Sequence, residues 1–417
     1  MKKRIRIILL FLAGLILLVV CLPRLCSTGP VRARILGIVN DKIDGSVSVE
    51  DWSIRWLRGL KLTDVLFEHS TSVPRVTVEE IRTDRGLLRY AFNRSDFGAV
   101  YLDSPQVTVT MTHAEPDAGE EPGWEGAAPG PAERPGQPSD PALAGKRAGL
   151  PDLSVGLIVT NGTFTIANGA EPPETIAKQV HFSVALEGRT EPVEVSGGFH
   201  SADKKGYLDL NARLQPDSGG SLAHVEFHAG LSAKDLDLAP IARFVRPFAD
   251  VPRVEGILNA DMKARGSARD GIRVTGTVSV PGLRMSGGPF ASDTPDLGNV
   301  GLSVDGVIGS DNVQIEGLHF ESSFLRLTAD GDLRMSEKSR LQLGGSLELP
   351  GFLGQFPATL GIRDGLQIEE GTLQLDAEMK MRGADLSLEA DVTLPVLRGS
   401  LSTGALSSAI AWDQPTV

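Results

Sequence analysis

Cysteines and aromatic residues are both scarce in this sequence. The only cysteines, Cys21 and Cys26, lie at the end of a hydrophobic run near the N-terminus. The remaining chain can therefore form neither a disulfide framework nor a cysteine-ligated metal site. Aromatic residues make up 5% of the 417 residues, which is low for the large packed cores that a chain of this length ordinarily contains.

Clustered positive charge and catalytic motifs are also missing. The formal net charge is −12, which argues against a nucleic-acid partner because phosphate binding depends on clustered Lys and Arg. The sequence has no G-x-S-x-G elbow, no phosphate-binding G-x-x-x-x-G-K-[ST] loop and no EF-hand spacing. We therefore predict no enzymatic activity, no cofactor and no nucleic-acid binding.

One long hydrophobic run stands near the N-terminus. Lys2, Lys3, Arg4 and Arg6 precede an uncharged stretch from Ile7 to Leu22, which covers roughly 24 Å as a helix, against a hydrocarbon core of about 30 Å. No A-x-A-like site follows it, which favours a retained anchor over a cleaved signal peptide. The positive flank places the N-terminus in the cytoplasm and the rest of the chain on the far side of that membrane. The predicted membrane-anchor residues are Ile7, Leu10, Phe11, Leu15, Leu18 and Leu22.

Composition and periodicity divide the chain into five segments. The first two are a cytoplasmic stub with the anchor, and a short amphipathic helix with Val31, Ile35 and Ile38 at helical spacing. A β module, a Pro-, Gly- and acid-rich linker or loop, and a long β body follow. The predicted bounds are 1–26, 27–44, 45–113, 114–150 and 151–417.

Short alternating segments separated by Gly, Asp and Asn dominate the chain and predict a mainly β, antiparallel fold rather than a parallel α/β fold. Gln106 to Met111, Tyr207 to Leu214 and Leu222 to Phe227 are examples. One helix is predicted from Asp235 to Phe248, with Asp237 as its cap and Pro240 in its first turn. We interpret it as a helix that covers one end of a sheet.

His224, Glu226 and His228 form an H-x-E-x-H string that raises a metal-site hypothesis. Val225 and Phe227 alternate with them, however, which indicates a strand with its polar residues on a solvated face. No third ligand is identifiable, so no metal site is predicted.

Several segments together resemble one family. The stretches from Gly45 to His69 and from Phe97 to Val109 are similar to the N-terminal module of AsmA-like proteins of diderm bacteria. Leu157 to Asn168 resembles their recurrent hairpin with an Asn-Gly turn, and the stretches from Asp235 to Phe248 and from Val254 to Val280 resemble their C-terminal region.

This resemblance implies an inner-membrane anchor and a periplasmic body built as a long curved antiparallel sheet, a β-groove or half-pipe with a few short capping helices. It further implies that phospholipid acyl chains occupy the groove and that the protein passes phospholipid between the inner and outer membranes, supporting outer-membrane biogenesis. An outer-membrane or other envelope protein is a possible partner. The alternative is a non-enzymatic scaffold or assembly factor for outer-membrane proteins, in which the apolar faces bury each other. Individual groove residues stay unassigned, because a shift of one residue exchanges the two faces of a strand.

Overall fold

The structure, a computed structural model, is mainly β and contains one large sheet and four short α-helices in the residues that it describes. These residues are 27–69, 74–93, 95–111, 153–168, 172–217, 225–245, 251–267, 269–290, 292–310, 312–334, 338–362, 366–382, 385–403 and 406–413. No helix in these ranges is long and apolar enough to cross a membrane. The predicted anchor from Ile7 to Leu22 lies outside them.

The helices are α1 (Gly29–Asn40), α2 (Leu87–Phe92), α3 (Leu238–Val245) and α4 (Leu349–Gln355), with a 3₁₀ turn at Gly288–Phe290. The first ten strands are β1 (Gly45–Arg55), β2 (Gly59–His69), β3 (Pro74–Thr83), β4 (Asp96–Asp103), β5 (Gln106–Met111), β6 (Ser154–Asn168), β7 (Glu174–Glu187), β8 (Val193–Ser201), β9 (Tyr207–Gln215) and β10 (Glu226–Asp237). The others are β11 (Arg253–Glu255), β12 (Ile257–Ser267), β13 (Gly271–Ser286), β14 (Asp296–Ile308), β15 (Asn312–Glu321), β16 (Leu325–Arg334), β17 (Lys338–Glu348), β18 (Leu366–Arg382), β19 (Asp385–Thr393), β20 (Val396–Thr403) and β21 (Leu406–Asp413).

Most strands pair with the strand that precedes or follows them in the sequence. The pairing is antiparallel from β1 to β3, from β6 to β10, and from β10 through β12 to β19. β18 is long enough to pair with β19 along one half and β20 along the other, and β21 then pairs with β20. The result is a meander in which sequence neighbours lie side by side.

The prediction of an antiparallel sheet is wrong at one place, where β6 runs parallel to both β4 and β5. A parallel connection needs a crossover of a dozen or more residues, whereas a hairpin needs only two. The connection from β5 to β6 contains the Pro- and Gly-rich stretch of residues 114–150, which is long enough for that return.

The predicted hairpin from Leu157 to Asn168 is also wrong, because β6 continues through it as one strand. Asn161 has a φ of 56°, and the register with β7 shifts on either side of Gly162. A left-handed residue next to Gly can form a β-bulge as well as a hairpin turn. Here the bulge lies where the neighbour of β6 on its other side changes from β4 to β5.

Helix α1 runs along the outer edge of β1. Asn40 accepts a hydrogen bond from the Val47 N–H (2.8 Å) and donates one to its carbonyl (3.2 Å). Arg32 donates to the Glu50 carbonyl, and Ser27 Oγ accepts from the Ile54 N–H (3.2 Å). Side chains therefore satisfy backbone groups of an edge strand that another strand would otherwise pair with.

Candidate functional site

The strand registers determine which side chains share a face of the sheet. Residues directly opposite each other on neighbouring strands point to the same face, and successive residues of a strand alternate between faces. On β9, for example, Leu208, Leu210 and Ala212 share one face, and Asp209 and Asn211 share the other. Following the partners from strand to strand extends this assignment across the sheet.

Three lateral rows cross the sheet from β7 or β8 to β19, and every member is apolar or glycine. We call this surface the apolar track. The middle row is Phe182, Gly197, Leu210, Leu231, Met262, Gly276, Val304, Leu318, Ala329, Leu343, Ala377 and Ala390. The row on one side is Val184, Val195, Ala212, Ala229, Ala264, Val274, Gly306, Ile315, Gly331, Leu341, Met379 and Leu388. The row on the other side is Phe199, Leu208, Ala233, Ala260, Val278, Leu302, Phe320, Leu327, Gly345, Leu375 and Val392.

The size of the track follows from sheet geometry. Twelve neighbouring strands at about 4.8 Å spacing give a length of roughly 50 Å, and three rows two residues apart give a width of roughly 13 Å. A β-bulge interrupts β15 between Ile315 and Leu318, yet the apolar rows stay aligned on both sides of it. This bulge therefore corrects the register instead of breaking the apolar surface.

Several residues of the track are exposed. Leu210 is 40% exposed, and Leu388 and Val392 on β19 are 63% and 60% exposed. Large apolar side chains at the centre of a two-layer core are normally buried. This part of the apolar surface is therefore in contact with solvent in the described part of the chain.

Two helices lie over the same face along one margin of the sheet. α3 follows the end of β10, and its Phe244 ring meets Phe164 edge to face, with ring centroids 4.9 Å apart. Asp237 accepts a hydrogen bond from the Ala239 N–H (2.9 Å), as predicted for the cap. The contact of Phe244 with Phe164 of β6 places α3 over an end of the sheet. α4 follows β17, and a Cβ at Gly371 would lie 3.1 Å from its Leu349 side chain.

The opposite face is polar and held by ion pairs between strands. Arg273 contacts both Asp305 (2.9 Å) and Glu316, and the hydrogen bonds that it donates to Glu316 and then to Asp305 raise the pKa of its guanidinium. Lys380 lies 2.9 Å from Glu378, and its hydrogen bond lowers the pKa of that carboxyl. Arg273 of β13 thus pairs with neighbouring strands, and Lys380 also lies 3.5 Å from Glu389 of β19, whereas its pair with Glu378 lies within β18. The apolar track contains no ionisable side chain.

The residues of the metal-site hypothesis do not form a site in the described structure. Glu226 and His228 lie on the polar face of β10, and in register His228 stands between Arg213 and Arg265. His224 lies outside the described residues. Within the part of the chain that the structure covers, no group of three metal-binding side chains occurs.

The chain was compared with protein-family models, with curated proteins and with solved structures, and none of them matches it.

The apolar track is the feature that sequence reasoning could not assign to residues. Its signal is present as alternation within each strand, for instance in YLDLNARL from Tyr207 to Leu214. Turns and bulges determine which side chains of the next strand lie beside the apolar set of a given strand. A shift of one residue would place apolar side chains beside polar ones.

Proposed function

We propose that the protein binds phospholipid through its acyl chains on the apolar track and passes it between the inner and outer membranes, in support of outer-membrane biogenesis. The observation that carries this proposal is the alignment of three uninterrupted apolar rows on one face of a sheet whose other face is polar. The resemblance to AsmA-like proteins and the N-terminal hydrophobic run are consistent with it.

The physical argument concerns the uncovered surface. Apolar surface left in water costs about 25 cal/mol per Å², and a track of this size leaves a large area to be covered. Acyl chains are apolar along their whole length, so they match a surface that offers no hydrogen-bonding side chain. Phospholipid head groups would remain in water beside the margins of the sheet.

We further propose that the sheet is curved, with the apolar track on its concave side. On β12, Ala260, Met262 and Ala264 are half-buried, whereas Asp261 and Lys263 of the opposite face are exposed. Neighbouring side chains shield one another on the inside of a curved sheet and spread apart on the outside. Transfer then needs no covalent step, because an acyl chain moving along the rows stays in contact with apolar groups.

Photocrosslinking at adjacent residues of one strand tests the proposal. Leu210 and Asn211 of β9 point to opposite faces, so a benzophenone amino acid at each position samples the two faces at the same place in the sheet. In cells supplied with radiolabelled phosphate, we expect phospholipid to be crosslinked from position 210 and not from position 211. Folded protein without lipid crosslinks at position 210 would refute lipid binding, and crosslinks from position 210 to an envelope protein would support the scaffold alternative.

A further inference from the structure

The margin of the sheet opposite α3 and α4 carries an exposed apolar tip at its N-terminal end. Leu57, in the turn between β1 and β2, is 80% exposed, and Phe92, at the end of α2, is 84% exposed. The Leu88 N–H of α2 donates to the Trp56 carbonyl (3.2 Å), so the turn and the helix are neighbours. We call residues 55–58, which contain the turn, together with α2 the tip.

The tip is held firmly to the sheet. Asp96 of β4 accepts a hydrogen bond from Arg89 Nε (2.7 Å) and lies 3.4 Å from Arg85 Nε. Burial alone would raise the pKa of Asp96, but the hydrogen bond from Arg89 and the charges of both arginines outweigh it and lower this pKa. Tyr90 donates to the Phe97 carbonyl (2.7 Å). The two apolar side chains are thus presented by an ordered support.

The charge of the tip contrasts with that of the whole protein. Arg55 and Arg58 flank Leu57, are exposed, and form no ion pair with the residues that the structure describes. The nearby carboxylates, Asp84 and Asp96, are already beside Arg85 and Arg89. The tip therefore carries unneutralised positive charge on a chain of net charge −12.

The position of the tip relates it to the hydrophobic run. Ser27 Oγ accepts a hydrogen bond from the Ile54 N–H (3.2 Å), so residue 27 lies beside the end of β1 that leads into the tip. Only a few residues separate Ser27 from the run that ends at Leu22. α1 then leads away along β1, because Asn40 reaches Val47 near the start of that strand. A bilayer that holds the run would lie next to the tip.

We propose that the tip docks on the surface of a membrane that contains anionic phospholipid. Leu57 and Phe92 enter the interfacial region, and Arg55 and Arg58 bind the head groups. Exposed apolar side chains flanked by arginines are the combination that binds interfaces, where apolar burial and attraction to anionic lipid act together. The inference goes beyond the proposed function, and it holds whether or not acyl chains occupy the apolar track.

Depth-dependent quenching in vesicles tests the docking. The full-length chain, with Cys21→Ser and Cys26→Ser, receives one new cysteine by Phe92→Cys that is labelled with an environment-sensitive fluorophore. It is mixed with phosphatidylcholine vesicles, with or without phosphatidylglycerol, that contain lipids spin-labelled near the head group. We expect quenching at position 92 in the vesicles that contain phosphatidylglycerol. A label at the exposed Asp391→Cys site, on the polar face of β19, serves as the matched control and should not be quenched.

The arginines supply a quantitative check. Each arginine near an anionic surface strengthens binding about fivefold. The double variant Arg55→Gln with Arg58→Gln should therefore lower the ratio of docked to undocked tips about 25-fold. Arg253→Gln with Arg265→Gln, at exposed positions elsewhere on the sheet, should leave that ratio unchanged. An unquenched label at position 92 on chains that float with the vesicles would overturn the proposal, as would a fluorescence shift without quenching, which indicates protein contact. Equal quenching without phosphatidylglycerol would overturn the role of the anionic lipid.

Discussion

Leu210→Asp is the substitution that tests the apolar track most directly. It places a carboxylate in the middle row, between Gly197 and Leu231, without touching the polar face. Asn211→Asp is the matched control, because it adds the same carboxylate to the same strand on the other side of the sheet. Any difference between the two variants reports the face and not the charge.

The expected magnitudes differ for folding and for lipid. Leu210 is already 40% exposed, so its loss removes only part of the ~1.5–3 kcal/mol that full burial of a leucine gives, about 1–2 kcal/mol. The new carboxylate stays hydrated as long as the track is empty. An acyl chain lying over it would have to dehydrate the charge, at a cost of several kcal/mol. A cost of about 3 kcal/mol would lower lipid occupancy there more than a hundredfold.

Two measurements decide the outcome. Urea unfolding gives the stability of each variant, and mass spectrometry of the purified protein gives the phospholipid bound per chain. We expect Leu210→Asp to fold with a small loss of stability and to carry less phospholipid per chain, while Asn211→Asp keeps its stability and its phospholipid. Equal lipid content in the two variants would refute the assignment of the track. A loss of stability of 4 kcal/mol or more in Leu210→Asp, above the value given by partial burial, would show that another layer of protein covers the residue.

Three further predictions concern packing, the tip and pH. Leu236 is 2% exposed and Leu388 is 63% exposed. In urea unfolding, Leu236→Ala should lower the free energy of unfolding by about 2–5 kcal/mol and Leu388→Ala by less than about 0.5 kcal/mol. Similar losses in the two variants would contradict the burial described. A Cβ at Gly86 would lie 2.2 Å from the Trp56 carbonyl oxygen, whereas nothing lies within 4 Å of a Cβ at Gly37. Gly86→Ala should therefore increase hydrogen exchange in α2, and Gly37→Ala should not. Unchanged exchange in α2 of the Gly86→Ala variant would refute this contact. The pKa of Asp96 lies below its ordinary value of 3.8. The contribution of this carboxylate to stability is therefore complete well above pH 3.8 and is lost as the pH falls through the lower folded-state pKa. Hydrogen exchange of α2 should rise in that pH range, and Asp96→Asn should remove the rise.

The sequence predicted the class of the fold well because alternation is a local signal. Tyr207 to Leu214 and Gln106 to Met111 were predicted within one residue of the observed strands. The strand predicted from Leu222 to Phe227 begins outside the described residues, and β10 runs from Glu226 to Asp237, beyond the predicted end. At the end of β10, the alternating apolar residues continue into the segment that also has helical spacing, so the strand pattern and the helix pattern overlap.

Long-range pairing was not available from the sequence. The Asn-Gly pair at residues 161 and 162 is compatible with a turn or with a bulge, and only the presence of β4 and β5 beside β6 distinguishes the two. The apolar track likewise depends on pairing between strands. Leu210 and Met262 lie in one row only because β10 pairs with both β9 and β12 in a specific register.

The capped edge of β1 limits how copies of this protein can assemble. A meander of this kind has a free edge at each end, and an open-ended fibre requires one copy to offer its first edge to the last edge of another. With Asn40 bonded to both backbone groups of Val47, the first edge has no room there for a foreign strand. Head-to-tail polymers that pair through this part of β1 are therefore blocked.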